Sequence, residues 1–158
     1  MADLHLTFGE PKHGWLPVQI DLGNERCEFA ASNVLNDPVH ELALAALHVL
    51  RYSELAVVSW WLESEWSSLV LEPRLAGESV LVSFREHHTD GRTESARRTL
   101  QAVAPTRSVC REIGRALREL LSRIGRDFYE SSGAWNRSFP EEIVAEIYSE
   151  LRVGNLSD

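Results

Sequence analysis

Residues 55–103, LAVVSWWLESEWSSLVLEPRLAGESVLVSFREHHTDGRTESARRTLQAV, decide the fold. The stretch holds four apolar segments of strand length, separated by short polar connections at residues 63–65, 73–77 and 88–94. The segments are Leu55–Leu62, Trp66–Glu72, Ser79–Glu86 and Arg97–Val103. Consecutive strands with short connections pair antiparallel, because a parallel pair needs a long crossover. The sequence therefore predicts an antiparallel meander.

Upstream of this meander, alternating apolar residues predict three further strands. They are Leu4–Phe8, Trp15–Leu22 and Arg26–Ala31, the last two joined by a hairpin turn at Gly23 and Asn24. A helix should follow, with Asn36 or Asp37 as its cap, Pro38 in its first turn, and its end near residues 51–53. This helix interrupts the run of strands.

Two helices are predicted at the C-terminal end. Pro105 opens a long one with Thr106 or Ser108 as its cap, and its apolar stripe extends to Phe128. Pro140 precedes the second, and residues 154–158 are expected to fray. The whole chain, 1–158, is thus predicted to be a single α+β domain. It consists of an antiparallel sheet of about six or seven strands, interrupted by one helix, with two C-terminal helices packed on it.

The charge of the chain is acidic and uneven. Its formal net charge is −8, and residues 1–96 hold 15 acidic against 6 basic groups. This balance argues against nucleic acid and anionic membrane surfaces as partners and favours a basic protein. Residues 97–126 are instead basic, with Arg111, Arg115 and Arg118 on one helix face. That stripe is interpreted as a solvated face or as a set of ion pairs, with a phosphate or RNA site as the third alternative.

Compartment is predicted from two features. Residues 1–9 lack the basic and apolar regions of a secretory signal, and no apolar run approaches the ~20 residues that span a bilayer. Cys27 and Cys110 are only two, far apart and set among apolar residues, which is typical of reduced, buried thiols. A cytoplasmic protein is expected.

Motifs that carry chemistry are sparse. His87, His88 and Asp90 form the strongest polar cluster, since two histidines and a carboxylate can bind a metal or act as base and acid. Neighbouring strand residues point to opposite faces, however, and Asp90-Gly91 is a turn signal, so an exposed hairpin tip is the competing interpretation. Nucleophile elbows and phosphate-binding glycine loops are absent from the sequence. No cofactor and no catalytic residue are predicted.

The tryptophans are the best candidates for a contact surface. Trp60 and Trp61 are adjacent in a predicted strand, so one can enter the core while the other contacts something else, and Trp66 follows one turn later. Large aromatic residues are enriched in the cores of protein interfaces. Trp60, Trp61 and Trp66 are therefore the predicted interface residues.

One stretch resembles a known family. Residues 14–50, with Phe29-Ala-Ala-Ser-Asn-Val-Leu-Asn-Asp-Pro38 and the helix after it, are similar to a family of small uncharacterised bacterial proteins, as is Ser59-Trp-Trp-Leu-Glu63. The matching residues are packing and capping features, so the resemblance implies no activity. By size and composition, the chain also resembles immunity proteins of bacterial toxin systems.

These observations predict a non-enzymatic, cytoplasmic, protein-binding domain of bacterial origin. It would be immunity-like, act through its acidic surface, and form a homo-oligomer such as a homodimer. Two alternatives stay open. One is a small metal-dependent or hydrolytic enzyme that uses His87, His88 and Asp90, and the other is a purely structural subunit of a homo-oligomer.

Overall fold

The computed structural model describes residues 3–62, 65–90 and 93–155, with the side chains of residues 88–98 and 155 excepted. In this part of the chain, seven strands form one antiparallel sheet in which every strand lies beside its sequence neighbour. The strands are β1 (Leu4–Phe8), β2 (Trp15–Leu22), β3 (Glu25–Ser32), β4 (Ala56–Trp61), β5 (Trp66–Arg74), β6 (Ser79–Asp90) and β7 (Thr93–Pro105). The predicted α+β class and antiparallel sheet are confirmed.

Four helices accompany the sheet. They are α1 (Pro38–Tyr52), between β3 and β4, and α2 (Thr106–Ile124), α3 (Arg126–Glu130) and α4 (Glu141–Asn155) after the last strand. Asp37 caps α1 as predicted, since its side-chain oxygen accepts a hydrogen bond from the His40 amide at 3.3 Å. No helix in the described ranges combines the length and the apolar character needed to cross a membrane.

The start and the end of α2 differ from the prediction. Thr106 does not cap the helix: its hydroxyl donates to the Gly77 carbonyl at 2.7 Å, and Pro105 stands at the cap position without a side-chain hydrogen bond. Gly125, at φ 79°, ends α2 before Phe128, which lies in α3 and is exposed. The prediction was wrong because the apolar spacing continues in the sequence to Phe128, although the backbone changes direction at Gly125.

The β6–β7 hairpin is longer than predicted. β6 continues to Asp90 and β7 begins at Thr93, with Asp90 and Thr93 as their last register pair. The predicted connection at residues 88–94 is therefore mostly strand, and its tip falls outside the described residues. A shift in register between Glu86 and His87 marks a β-bulge. The residues at this end of the hairpin are mostly polar and show no apolar alternation, so the sequence pattern did not predict that they form strands.

The sheet bends between β3 and β4. Among the described residues, these two strands share one register pair, Ser32 with Trp61. Beyond the bend, Phe29 of β3 meets the inner face of the second half of the sheet. Its ring centroid lies 5.5 Å from that of Trp60 and 5.4 Å from that of Phe84. The bend leaves most of β4 without a partner strand on that side.

The core lies on the inner face of the sheet. Each row across β4 to β7 contributes buried apolar side chains, as in Val58, Leu69, Phe84 and Leu100. Helices α1, α2 and α4 pack against one another and add their apolar stripes to the same core. Both cysteines are buried free thiols, and burial raises the pKa of Cys110 to about 12, so its thiol is inert near neutral pH.

Most arginines of α2, and Arg126 of α3, have partners within the chain. Arg115 donates to the Leu6 carbonyl at 3.0 Å and forms an ion pair with Glu112, and Arg123 donates to the Phe8 carbonyl. Arg118 lies over the Tyr148 ring at 3.4 Å from its centroid, and Arg126 forms an ion pair with Glu141. Of the three interpretations of this basic stripe, the structure supports intramolecular pairing for Arg115 and Arg118, whereas Arg111 is exposed.

Candidate protein-binding surface

The two adjacent tryptophans lie on opposite faces of β4. Trp60 is fully buried on the inner face, and Trp61 is half-buried on the outer face. Alternation along the strand places Val57 and Ser59 on the outer face with Trp61. Strand β4 carries apolar residues on both faces, and in the described chain Val57 on the outer face is 48% exposed. Its outer face is therefore open.

Trp61 belongs to an aromatic row that crosses three strands. Its ring centroid lies 6.1 Å from that of Trp66, which in turn stacks on His87 at 3.8 Å with an interplanar angle of 9°. The register pairs Trp61 with Trp66 and Trp66 with His87, and all three side chains are half-buried. Two predicted interface residues and one residue of the predicted polar cluster thus share one surface.

His87 has a structural environment, with one face stacked on Trp66. Its Nε2 atom forms a hydrogen bond with the Ser68 hydroxyl at 3.2 Å. The side chains of His88 and Asp90 lie outside the described residues. Within the part that is described, no three His, Cys, Asp or Glu side chains cluster as metal ligands would.

Exposed apolar residues concentrate beside the aromatic row. Six of the ten large apolar side chains that are exposed in the described chain belong to α1, β4 or the segments directly before them. The six residues are Val34, Leu35, Leu44, Tyr52, Leu55 and Val57. These six together with Trp61 and Trp66 are called the β4 surface. Of these six residues, Leu44, Tyr52 and Val57 line one groove, and exposed apolar area of this kind is typical of a contact site.

A groove runs through the β4 surface. It lies between α1 and β4, has a volume of about 490 Å³, and is lined mainly by apolar side chains. Leu44 and Tyr52 form its helix wall, and Ala56 and Val57 form its strand wall. Leu44 lies outside the apolar stripe that α1 turns to the core, and this departure is the sequence signal that could have revealed the groove.

Carboxylates dominate the rim of this groove. Glu41 and Glu54 flank it, and His48 Nε2 lies 3.1 Å from a Glu54 oxygen. Arg51, which also lines the groove, pairs with Glu150 at 2.9 Å and with Glu146 at 3.8 Å. The hydrogen bond that Arg51 donates to Glu150 raises the pKa of Arg51. Glu41 lines the groove, and Glu54, Glu146 and Glu150 contact its lining residues His48 and Arg51. These carboxylates outnumber the one guanidinium, so the groove favours cationic ligands.

A second polar cluster lies in a larger cavity, of about 820 Å³, between β1, β7 and α2. His5 Nδ1 lies 3.3 Å from Glu112, whose carboxylate also accepts hydrogen bonds from Arg115. Ser108 lines the same cavity, but no hydrogen bond joins its hydroxyl to His5. An activated nucleophile needs such a contact with its base. His5 and Glu112 therefore form a base and acceptor pair beside this cavity.

The fold and this surface define a class: an α+β protein whose seven-stranded antiparallel sheet has an exposed, apolar strand edge beside a helix. Comparison of the chain with protein-family models, with curated proteins and with solved structures finds no match.

Proposed function

We propose that this chain is a non-enzymatic protein-binding domain and that the β4 surface is its contact region. The observation that carries the proposal is the concentration of exposed apolar side chains, Leu44, Tyr52, Leu55 and Val57, around a groove with an acidic rim. Apolar contact area flanked by charge supplies both affinity and choice of partner in protein interfaces. Trp61 and Trp66 extend the same region with aromatic area.

The partner in this proposal is a basic protein. Glu41 lines the groove, Glu54, Glu146 and Glu150 pair with its lining residues His48 and Arg51, and the net charge of the chain is −8. An acidic surface attracts a basic partner at long range and raises the association rate, an effect that salt weakens. By size and composition the chain resembles immunity proteins of bacterial toxin systems, and the proposal includes that role in a bacterial cytoplasm.

Two other functions predict different outcomes. A structural homo-oligomer would bury the β4 surface against a second copy, and light scattering would then give a multiple of 17.9 kDa without another partner. A metal-dependent enzyme would bind zinc stoichiometrically and lose it in the variant His87→Ala. Nε2 of His87 already bonds Ser68, which favours a packing role for that ring.

Site-specific crosslinking tests the proposal. A photo-crosslinking amino acid at Val57, in cells of the organism that encodes the chain, should give one discrete adduct with a basic protein. Val103 is the matched control, because it is also a valine on the outer sheet face and is 42% exposed against 48%. Adducts of equal yield at both positions, or an adduct only with a second copy of the chain, would contradict the proposal.

A further inference from the structure

The backbone edge of β4 is open at Val57. The Leu62 amide donates to the Glu65 carbonyl of the adjacent hairpin partner, so even-numbered residues of β4 direct their backbone groups toward β5. Odd-numbered residues therefore face the opposite side, toward α1 and the groove. The described residues provide no hydrogen-bond partner there for the Val57 N–H and C=O.

Ser59 is the next residue of β4 whose backbone groups face this side, and they bond to side chains instead of to another strand. Its carbonyl accepts from Asn36 Nδ2 at 2.8 Å, and its amide donates to Glu41 Oε1 at 3.4 Å. The first distance is that of a good hydrogen bond, whereas the second is long for an N–H···O contact. An entering backbone carbonyl can replace the Glu41 carboxylate at the Ser59 amide. Glu41 would then be free to pair with a cation.

The groove has the length of a short strand. From Glu41 to Tyr52, α1 spans about 16 Å at its rise of 1.5 Å per residue. The stretch from Leu55 to Ser59 spans about 13 Å at about 3.3 Å per residue. A segment of about five extended residues centred on Val57 has this length, which is within that of the helix wall, and its alternate side chains would turn toward Leu44 and Tyr52.

We infer that the groove between α1 and β4 binds an extended, basic segment of the partner as an added strand that pairs with Val57. The inference rests on the proposed function and specifies how the partner is held. Backbone hydrogen bonds to a sheet edge provide affinity, and pockets for alternate side chains provide specificity. Here the alternate apolar side chains contact Leu44 and Tyr52, and cationic ones lie near Glu41 and Glu54.

Charge selects this occupant over a second copy of the chain. A symmetric dimer through two β4 edges would place the same patch on both subunits. With Val57 on the two-fold axis, Glu41 at Ser59 would come near Glu54 of the second copy, and like charges brought together across a strand pair are destabilising. A lysine- or arginine-bearing segment meets the same edge with opposite charge.

Defined peptides test the inference. The probe is a fluorescein-labelled pentapeptide of alternating lysine and valine, and its control has glutamate in place of lysine. Two further versions carry N-methyl groups on the lysines or on the valines, so that each blocks one edge of the extended peptide. Fluorescence anisotropy at low salt should show at least tenfold tighter binding of the basic peptide than of the acidic one. One N-methylated version should bind at least tenfold more weakly than its parent.

Amide hydrogen exchange locates the contact. Bound peptide should slow exchange at Val57 at least tenfold and leave Val58, which already pairs with β5, unchanged. The variant Leu44→Gln should weaken binding about tenfold, whereas Val103→Gln, on the outer face of β7, should leave it unchanged.

Several outcomes would overturn the inference. They are no detectable binding, equal binding of the basic and acidic peptides, full binding of both N-methylated versions, and bound peptide without protection at Val57. Protection at Val57 that rises with protein concentration in the absence of peptide would assign the edge to a second copy. In the first four cases a specific adduct at Val57 in cells would preserve the proposed function, so the two failures are distinguishable.

Discussion

Two backbone edges of this sheet, those of β1 and β4, are closed to different degrees. At β1, Arg115 and Arg123 of α2 donate to the outward carbonyls of Leu6 and Phe8. At β4, Asn36 and Glu41 satisfy Ser59 alone, and Val57 faces an apolar groove. The carbonyls of the β1 edge therefore accept hydrogen bonds from arginines. At the β4 edge, the N–H and C=O groups of Val57 have no such partner among the described residues, and carboxylates lie nearby.

The difference indicates which edge is available for a partner. An unpaired strand edge is a template for further pairing, and proteins usually cover it or charge it. Two arginines of a packed helix close the β1 edge at Leu6 and Phe8, and the cavity of about 820 Å³ adjoins only the start of this strand. The β4 edge instead lies beside a helix that leaves an apolar groove of about 490 Å³ at Val57. Retention of an open edge with exposed apolar walls is a cost to solubility, which a binding function explains.

The largest expected effect tests what holds the open strand in place. If β4 is anchored by its inner face and not by its edge, Trp60→Ala should destabilise the protein by about 3–5 kcal/mol, as for other buried aromatic residues. Trp61→Ala should cost about 1 kcal/mol, because it loses only half-buried area and the contact with Trp66. Urea unfolding of both variants measures the difference.

Trp60→Phe is the control for this pair. Within the described chain the Trp60 indole N–H is buried without a hydrogen-bond partner, so its removal leaves nothing unpaired. The variant should retain most of the stability, with a loss below about 1.5 kcal/mol. Equal losses for Trp60→Ala and Trp61→Ala would show that both faces of β4 are buried in solution, for example in an oligomer.

The next effect tests closure of the β1 edge. Arg115→Met should lower the free energy of unfolding by about 1–2 kcal/mol, because the Leu6 carbonyl and the Glu112 carboxylate both lose a charged donor. The half-exposed position of the side chain keeps the loss at this level, since water screens the charge. Thermal and urea unfolding measure it. Arg111→Met, an exposed position on the same helix, is the control and should stay within about 0.5 kcal/mol.

The fold could be predicted from the sequence because its signals are local. Alternation marked each strand, Gly23 and Asn24 marked the first hairpin, and Asp37 marked the start of α1. The errors arose where tertiary contacts decide. The hydroxyl of Thr106 bonds the Gly77 carbonyl instead of capping α2, and the polar end of the β6–β7 hairpin is set by pairing between strands.

The candidate surface could be predicted only in part. Alternation alone separated Trp60 from Trp61, but the stacking of Trp66 on His87 depends on the register between β5 and β6. The open edge at Val57 follows from the bend between β3 and β4. No local sequence pattern predicts this bend. The interface role of Trp61 and Trp66 remains a prediction.

A smaller effect is expected at the side-chain closure of β4. Asn36→Ala removes the donor to the Ser59 carbonyl and should cost about 1 kcal/mol in urea unfolding. Asn36→Asp should cost more, because it places a carboxylate beside the same carbonyl and next to Glu41, which now accepts a hydrogen bond from Asn36. If Asn36→Ala has no effect, water satisfies this edge as well as the amide does, and the edge is open at Ser59 too.

The smallest effect concerns exposed charge on the closed side of the sheet. On β2, Asp21 is the register partner of His5 of β1, and Arg26 donates to it at 2.7 Å. The hydrogen bond from Arg26 lowers the pKa of Asp21, so the pair stabilises the folded state above the ordinary carboxyl pKa. That contribution is lost as the pH falls through the lowered pKa of the folded state.

Arg26→Ala should raise the pKa of Asp21 in an NMR titration and slightly reduce the loss of stability below pH 4. Because the guanidinium is exposed, stability at pH 7 should barely change. A large change at pH 7 would mean that surface ion pairs, and not the arginines on the β1 carbonyls, close this side of the sheet.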